Sequence, residues 1–336
     1  MSSVPSASDA GGTQSGGTQS KIHDLGYRGY DGPRLGPGYA MRAGARVSIE
    51  RALGLRRSAR WKIAPIFIIM VTFLPSIVLV GISAISNDTA FISVGSYFGT
   101  AAIMLVIFSA FAGSEVVTAD IKSGMASLYA SSQLGPKGFL GSKLLGIFAV
   151  TFGVTAGPAL LQVLALFLQD GYSALGDGFQ DVGAVIAVSA LIASMFTALV
   201  VGISFVTRDF RIAMVAVLLI AFVSVGVAES LASTSAGQST GFTESSDGSI
   251  RTFSERDDVS NAATAAAMFS PISITTELGL RAFDAPRVCN FSFEGGDNCE
   301  AIHFPGAPTA LFIIAAFLWI IAGLGLALGT LNRSLR

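Results

Sequence analysis

Six uncharged runs of membrane length dominate this chain and leave few folds open to it. They are "IAPIFIIMVTFLPSIVLVGISAI" (63–85), "FISVGSYFGTAAIMLVIFSAFAG" (91–113), "LLGIFAVTFGVTAGPALLQVLALFL" (144–168), "VGAVIAVSALIASMFTALVVGISFVT" (182–207), "IAMVAVLLIAFVSVGVA" (212–228) and "PTALFIIAAFLWIIAGLGLALGT" (308–330). A hydrocarbon core about 30 Å thick takes roughly 17–25 helical residues, so each run is long enough to cross it. Backbone polar groups in lipid must be satisfied within the segment, which makes these runs helices rather than strands. The expected fold is therefore an all-α membrane protein, a six-transmembrane-helix bundle occupying residues 63–336. Only 13% of the 336 residues are charged against 51% hydrophobic, a balance that excludes an ordinary soluble domain. Pro65 and Pro75 in the first span and Pro158 in the third predict kinks rather than breaks.

Lysine and arginine orient such a bundle. With the N-terminus placed inside, seventeen of the twenty-one fall on the inner side, in the N-terminal arm, the 2–3 and 4–5 connections and the C-terminus. The outer side holds Arg251, Arg256, Arg281 and Arg287 against fifteen of the twenty-two acids. Both termini are thus expected in the cytoplasm, and the near-zero net charge conceals opposite faces.

The N-terminal arm divides in two. Residues 1–20 are rich in Ser, Gly and Thr, end in the repeat "GGTQSGGTQS" and read as a disordered tail with no signal peptide. Residues 21–62 read as a cytoplasmic strap followed by a basic interfacial helix. On a continuous helix from Met41 to Lys62, Arg42, Arg46, Arg56, Arg57 and Arg60 would share about a third of the circumference and meet anionic headgroups or a cytosolic partner, with Gly54 the weak point.

The extracytoplasmic loop, residues 229–307, is far longer than ordinary connections. Its first half, "STSAGQSTGFTESSDGS", reads as flexible, whereas "NAATAAAMFSPISITTELGLRAF" predicts two short helices split at Ser270-Pro271, on or dipping into the outer leaflet. They would cap a pathway or serve as a structural lid. Further on, Gly295 and Gly296 favour a turn between Cys289 and Cys299; a disulfide there, contributing roughly 2–3 kcal/mol, is expected, the alternative being two free thiols.

The candidate chemistry lies elsewhere. No Asp, Glu, Lys or Arg sits well inside the six runs, which argues against an ion-coupled carrier. "GPKGFLGSK" lacks the adjacent Gly-Lys-Ser/Thr of a phosphate loop, and no nucleophile–base or metal-ligand spacing appears, so the chain is not expected to be an enzyme. Asn87, Asn290 and Asn332 begin glycosylation-type triplets of the kind that arise by chance.

The inner 2–3 connection, "GSEVVTADIKSGMASLYASSQLGPKGFLGSKLLG", carries the most information. Continued helix past residue 113 puts Val117 and Ile121 on one face and leaves Glu115, Asp120 and Lys122 toward water. Gly124 permits a bend, and "MASLYASS" then forms a short helix with Met125, Leu128 and Tyr129 on one side, stopped by Gly135-Pro136, with Lys143 at the inner boundary. Such an apolar-aromatic stripe suits a groove on another protein or rests on lipid.

With that connection, the "FSPISITTELGLRAF" segment and the strap "IHDLGYRGYDGPRLG", the chain resembles permease subunits of the ABC-2 class of ATP-binding-cassette transporters, the strap being similar to that of actinobacterial members. In members of that class Pro and then Arg often follow the short helix directly, whereas Gln133, Leu134 and Gly135 intervene here. The resemblance implies a half-transporter in a bacterial plasma membrane. Its partners would be a second permease subunit, identical or related, membrane lipids and a separate nucleotide-binding ATPase subunit, with ATP and magnesium on that subunit, no cofactor on this chain and no nucleic acid. It further implies a cytosolic coupling helix between spans 2 and 3, with Asp120, Lys122, Gly124, Leu128, Tyr129 and Pro136 in the coupling role. A pathway lined by spans 2 and 5 would offer Tyr97, Phe98, Phe108, Phe111 and Phe222, uncharged and suited to an apolar or amphipathic substrate: a lipid, a lipid-linked molecule or a hydrophobic drug. Aromatics in a bundle also serve simply as packing. The small-xxx-small pairs Gly95/Gly99, Gly153/Gly157 and Gly325/Gly329 predict close helix approach. A membrane sensor or assembly scaffold, whose inner helix recruits a partner, is the competing expectation.

Overall fold

A computed structural model describes residues 36–55, 59–86, 92–125, 128, 134–169, 175–235, 240–244, 250–254, 261–283, 287–291, 297–301 and 307–334. The tail, most of the strap, Arg56, Arg57 and Tyr129 lie outside these, as does the side chain of Arg60. The described helices are α1 (Pro37–Ala52), α2 (Ala59–Ser86), α3 (Val94–Lys122), α4 (Gly135–Leu168), α5 (Leu175–Thr207), α6 (Phe210–Ser235), α7 (Asn261–Phe269), α8 (Pro271–Ala282) and α9 (Thr309–Ser334). Six of them, α2 to α6 and α9, are long and apolar enough to cross a membrane.

The six differ in how much protein surrounds them. In the most apolar window of each, 67% of α3, 61% of α5 and 50% of α4 is buried, against 28% of α9 and 17% each of α2 and α6. Three central helices are therefore flanked by three that show apolar side chains outward, such as Phe67 and Met70 on α2, Leu219 on α6 and Leu318 on α9. For a helix whose solvent is lipid, outward apolar residues are the ordinary condition. Helices α2 and α4 run on through Pro65, Pro75 and Pro158 without a break.

The tightest crossing is between α5 and α9. A Cβ built on Gly202 would lie 2.5 Å from the Gly323 carbonyl oxygen, and one on Gly323 would lie 2.3 Å from that of Ala198. Backbone meets backbone there, which only glycine permits. Of the glycines singled out by spacing, Gly99 meets Thr276 of α8 and Gly157 meets Phe73 of α2, while Gly153, Gly325 and Gly329 face open space and Gly95 is buried.

The continuous basic helix expected over Met41–Lys62 is two helices. Gly54 takes a left-handed φ of 70°, its N–H donates to the Arg51 carbonyl at 2.9 Å and the Leu55 N–H to that of Glu50 at 2.8 Å. These two bonds form a Schellman stop, so α1 ends at Ala52 and Arg60 belongs to a different helix from Arg42 and Arg46. Helix α1 does not simply rest on lipid: it buries Ala45, Ser48 and Ala52, and lies so close to α4 that a Cβ on Gly146 would stand 2.4 Å from the Ser48 Cβ.

The long connection between α6 and α9 holds the two helices expected from its Ser-Pro break. Ser270 caps α8, its hydroxyl accepting from the Ser273 N–H at 3.2 Å, and Pro271 occupies the first turn, where its missing N–H costs nothing. Helix α8 is embedded rather than superficial. Gly279 admits Phe98 of α3, Phe283 stacks on the same ring at 6.1 Å, and the ion pair of Glu277 with Arg281 (2.9 Å) sets the guanidinium 4.8 Å from the Phe312 ring.

The helical expectation is incomplete in one respect. Two antiparallel hairpins decorate this connection, β1 (Thr240–Glu244) with β2 (Ile250–Ser254) and β3 (Arg287–Phe291) with β4 (Asp297–Ala301). The first falls in the half read as flexible; Phe242, Thr243, Ile250, Thr252 and Phe253 favour strand, and the sequence between contains Asp247-Gly248. In the second, the register sets Cys289 opposite Cys299. Their side chains, and with them the expected disulfide, lie outside the described residues.

Candidate functional site

The end of the bundle where basic residues collect is formed by α1, the end of α3, the start of α4 and the α5–α6 turn. Helix α3 runs nine residues beyond the apolar run that predicted it and stops at Lys122, where Gly124 adopts φ 71° and its N–H donates to the Ile121 carbonyl at 3.2 Å. The bend expected at Gly124 is present. Beyond it, Met125 and Leu128 have helical backbone and exposed side chains, Leu128 at 62%. Helix α4 then starts at Gly135, φ 63°, with half-buried Pro136 in its first turn. Gly135-Pro136 thus opens a long helix, and Lys143 stands more than two turns inside it.

That extension changes the place of Asp120. Expected toward water, it is 1% exposed, because α1 and α4 cover it and each brings a cation. Arg51 donates from Nη1 to Oδ1, and Lys143, itself 3% exposed, from Nζ to Oδ2. The Lys143 ammonium also lies 5.6 Å from the centroid of Phe139. Two charges removed from water, with a third partly so, are tolerable only when paired in good geometry, which the two-sided carboxylate provides. The apolar runs, ending at 113 and restarting at 144, gave no warning of it. The available signals were the lone acid in "VVTADIK" and the glycine that ends α1 just after Arg51.

Lys122 makes a different contact. It projects into solvent and pairs with Asp209 at 2.7 Å, tying α3 to the two-residue turn between α5 and α6. In that turn Arg208 takes a left-handed φ of 53°, and Asp209 caps α6, accepting from the Arg211 N–H at 2.8 Å. The Lys122 ammonium first, and the Arg211 N–H second, hold the Asp209 carboxyl below the usual carboxylate range. A depressed folded-state value means the contribution is whole above the ordinary carboxylate pKa of about 3.9 and disappears as pH falls through the lower folded value. Asp209→Asn is accordingly expected to lower the melting temperature slightly at pH 7, with the gap to wild type closing on acidification; thermal melts across pH 3–7 check it.

The aromatic residues assigned to a pathway do not share one surface. Tyr97, Phe98 and Phe108 are buried within the bundle, Tyr97 donating from its hydroxyl to the Val154 carbonyl at 3.5 Å and meeting Phe98 edge-on at 5.4 Å. Phe111 packs edge-on against Phe210 at 5.7 Å. Phe222 faces outward from α6, 42% exposed.

No known protein-family model matches the chain, and no curated protein matches it closely enough in sequence to count as a relative.

Proposed function

We infer that this chain is the membrane-spanning permease subunit of an ATP-driven exporter of the ABC-2 kind, with the basic end of the bundle in the cytoplasm of a bacterial cell. A separate ATPase subunit docks on the 123–134 connection, and a second permease subunit completes the transporter. The observation that carries the reading is the pair of exposed apolar side chains, Met125 and Leu128, on helical backbone at the basic end of a six-span bundle. An apolar patch presented among charges is the form a helix-in-groove contact takes. The charged contacts of Asp120 and Lys122 brace the segment that presents it. The outward aromatic and aliphatic side chains of α6, Leu219, Phe222 and Val223, suit an apolar or amphipathic substrate moving beside that helix.

The test is purification of the tagged chain from its native membrane in mild detergent, beside a Leu128→Glu version. An ATPase that accompanies the wild type and is depleted at least about tenfold by the charged variant, as expected for loss of a buried apolar anchor, supports the reading. A kinase or other regulator in its place turns the chain into a sensor or scaffold.

A further inference from the structure

Asp120 closes the base of the 123–134 connection. It stands on the helix that enters the connection, Lys143 stands on the helix that leaves it, and Arg51 comes from α1, outside both. We propose that Asp120 is a positioning residue that joins α1 and the two arms of the connection into one moving body, so that a push delivered on the connection is carried through α1 to α2. This rests on the reading that an ATPase docks there.

Three observations point the same way. The carboxylate and the Lys143 ammonium are almost fully buried, so sliding either arm past the other strands a charge away from water. The α1–α4 contact has no slack, since Gly44 faces Ser142, where a Cβ would come within 2.9 Å of its side chain, and Gly146 faces Ser48 and the Ala45 carbonyl. Lastly, the Arg51 carbonyl is itself an acceptor in the Schellman stop, and α2 begins at Ala59, so movement of the last turn of α1 reaches α2 through a short link. Helix α2 is among the least enclosed of the six and has room to respond. The Lys122–Asp209 pair is the contrast: with its two side chains 54% and 35% exposed, it can open and re-form in water. The Asp120 clamp is thus the firmer of the two charged ties at this end of the bundle.

Hydrogen exchange on the purified full chain in lipid nanodiscs reads the clamp directly. In Asp120→Asn, exchange across residues 37–52 is expected to rise at least about tenfold while α5 is unchanged, and Arg51→Lys is expected to keep the wild-type pattern. Should the Asn variant fail to fold, Arg51→Met makes the same comparison from the partly exposed side of the triad. Wild-type protection of α1 in whichever of these folds overturns the proposal. In the complex with its ATPase, ATP plus vanadate is expected to alter exchange in α2 of the wild type and not of the variant; equal responses, or none in the wild type, overturn the transmission step. If no ATPase accompanies the wild type, the functional reading falls, and exchange in the isolated chain still decides the clamp.

Discussion

Gly323→Val is expected to prevent recovery of a folded bundle. The β-carbon alone would sit 2.3 Å from the Ala198 carbonyl oxygen and 2.4 Å from its carbon, and these are backbone atoms of α5, which cannot rotate away as a side chain can. Overpacking a fitted interior costs roughly 1–3 kcal/mol when side chains absorb it. Here the two helices themselves must part, α5 is one of the three enclosed helices, and the effect belongs above that range. Gly329→Val is the control: it adds the same carbons to the same helix at a position facing open space. Size-exclusion profiles in detergent before and after heating separate the two, with Gly323→Val aggregated and Gly329→Val close to wild type.

Asp120→Asn has the second largest expected effect, through charge rather than volume. The amide nearly matches the carboxylate in size, so packing is preserved while Arg51 and Lys143 lose their common counter-charge. Removing one partner from a buried ionic group costs about 3–5 kcal/mol. Arg51 keeps 31% of its side chain exposed and can draw on water, so the loss falls near 3 kcal/mol, most of it carried by Lys143. Replacing Lys143 as well, as Asp120→Asn with Lys143→Met, is expected to restore part of the stability, since no ammonium is then left buried. Thermal unfolding of the single and double variants in nanodiscs measures both.

What the sequence disclosed divides along the range of the interactions involved. The six spans were legible because a single physical requirement, backbone satisfied in lipid, acts within each segment. Ser270-Pro271 and Gly124 were legible for a similar reason, as each sets backbone geometry on its own. Asp120 was not, because its burial depends on α1 and α4 arriving from 69 and 23 positions away in the numbering, and nothing beside it in the chain says so. Gly202 escaped notice because only pairs of glycines were singled out, whereas its small neighbour at that spacing is Ala198, and both meet Gly323 of another helix. Spacing instead singled out Gly325 and Gly329, where an added Cβ would meet nothing among the described residues. Gly54 was recognised as the weak point of the basic helix, yet the arginine pattern argued for continuity; the left-handed stop prevailed. Among the proposed coupling residues, Lys122 and Leu128 stand exposed, while Asp120 is buried within the bundle.

The claim that a partner seats on the 123–134 connection is tested most directly by a photo-crosslinker placed at Leu128, with the same group at Leu318 on the outward face of α9 as reference. Irradiation in the native membrane is predicted to join the Leu128 probe to a nucleotide-binding ATPase and the Leu318 probe to lipid. Lipid adducts alone at both positions would contradict the account.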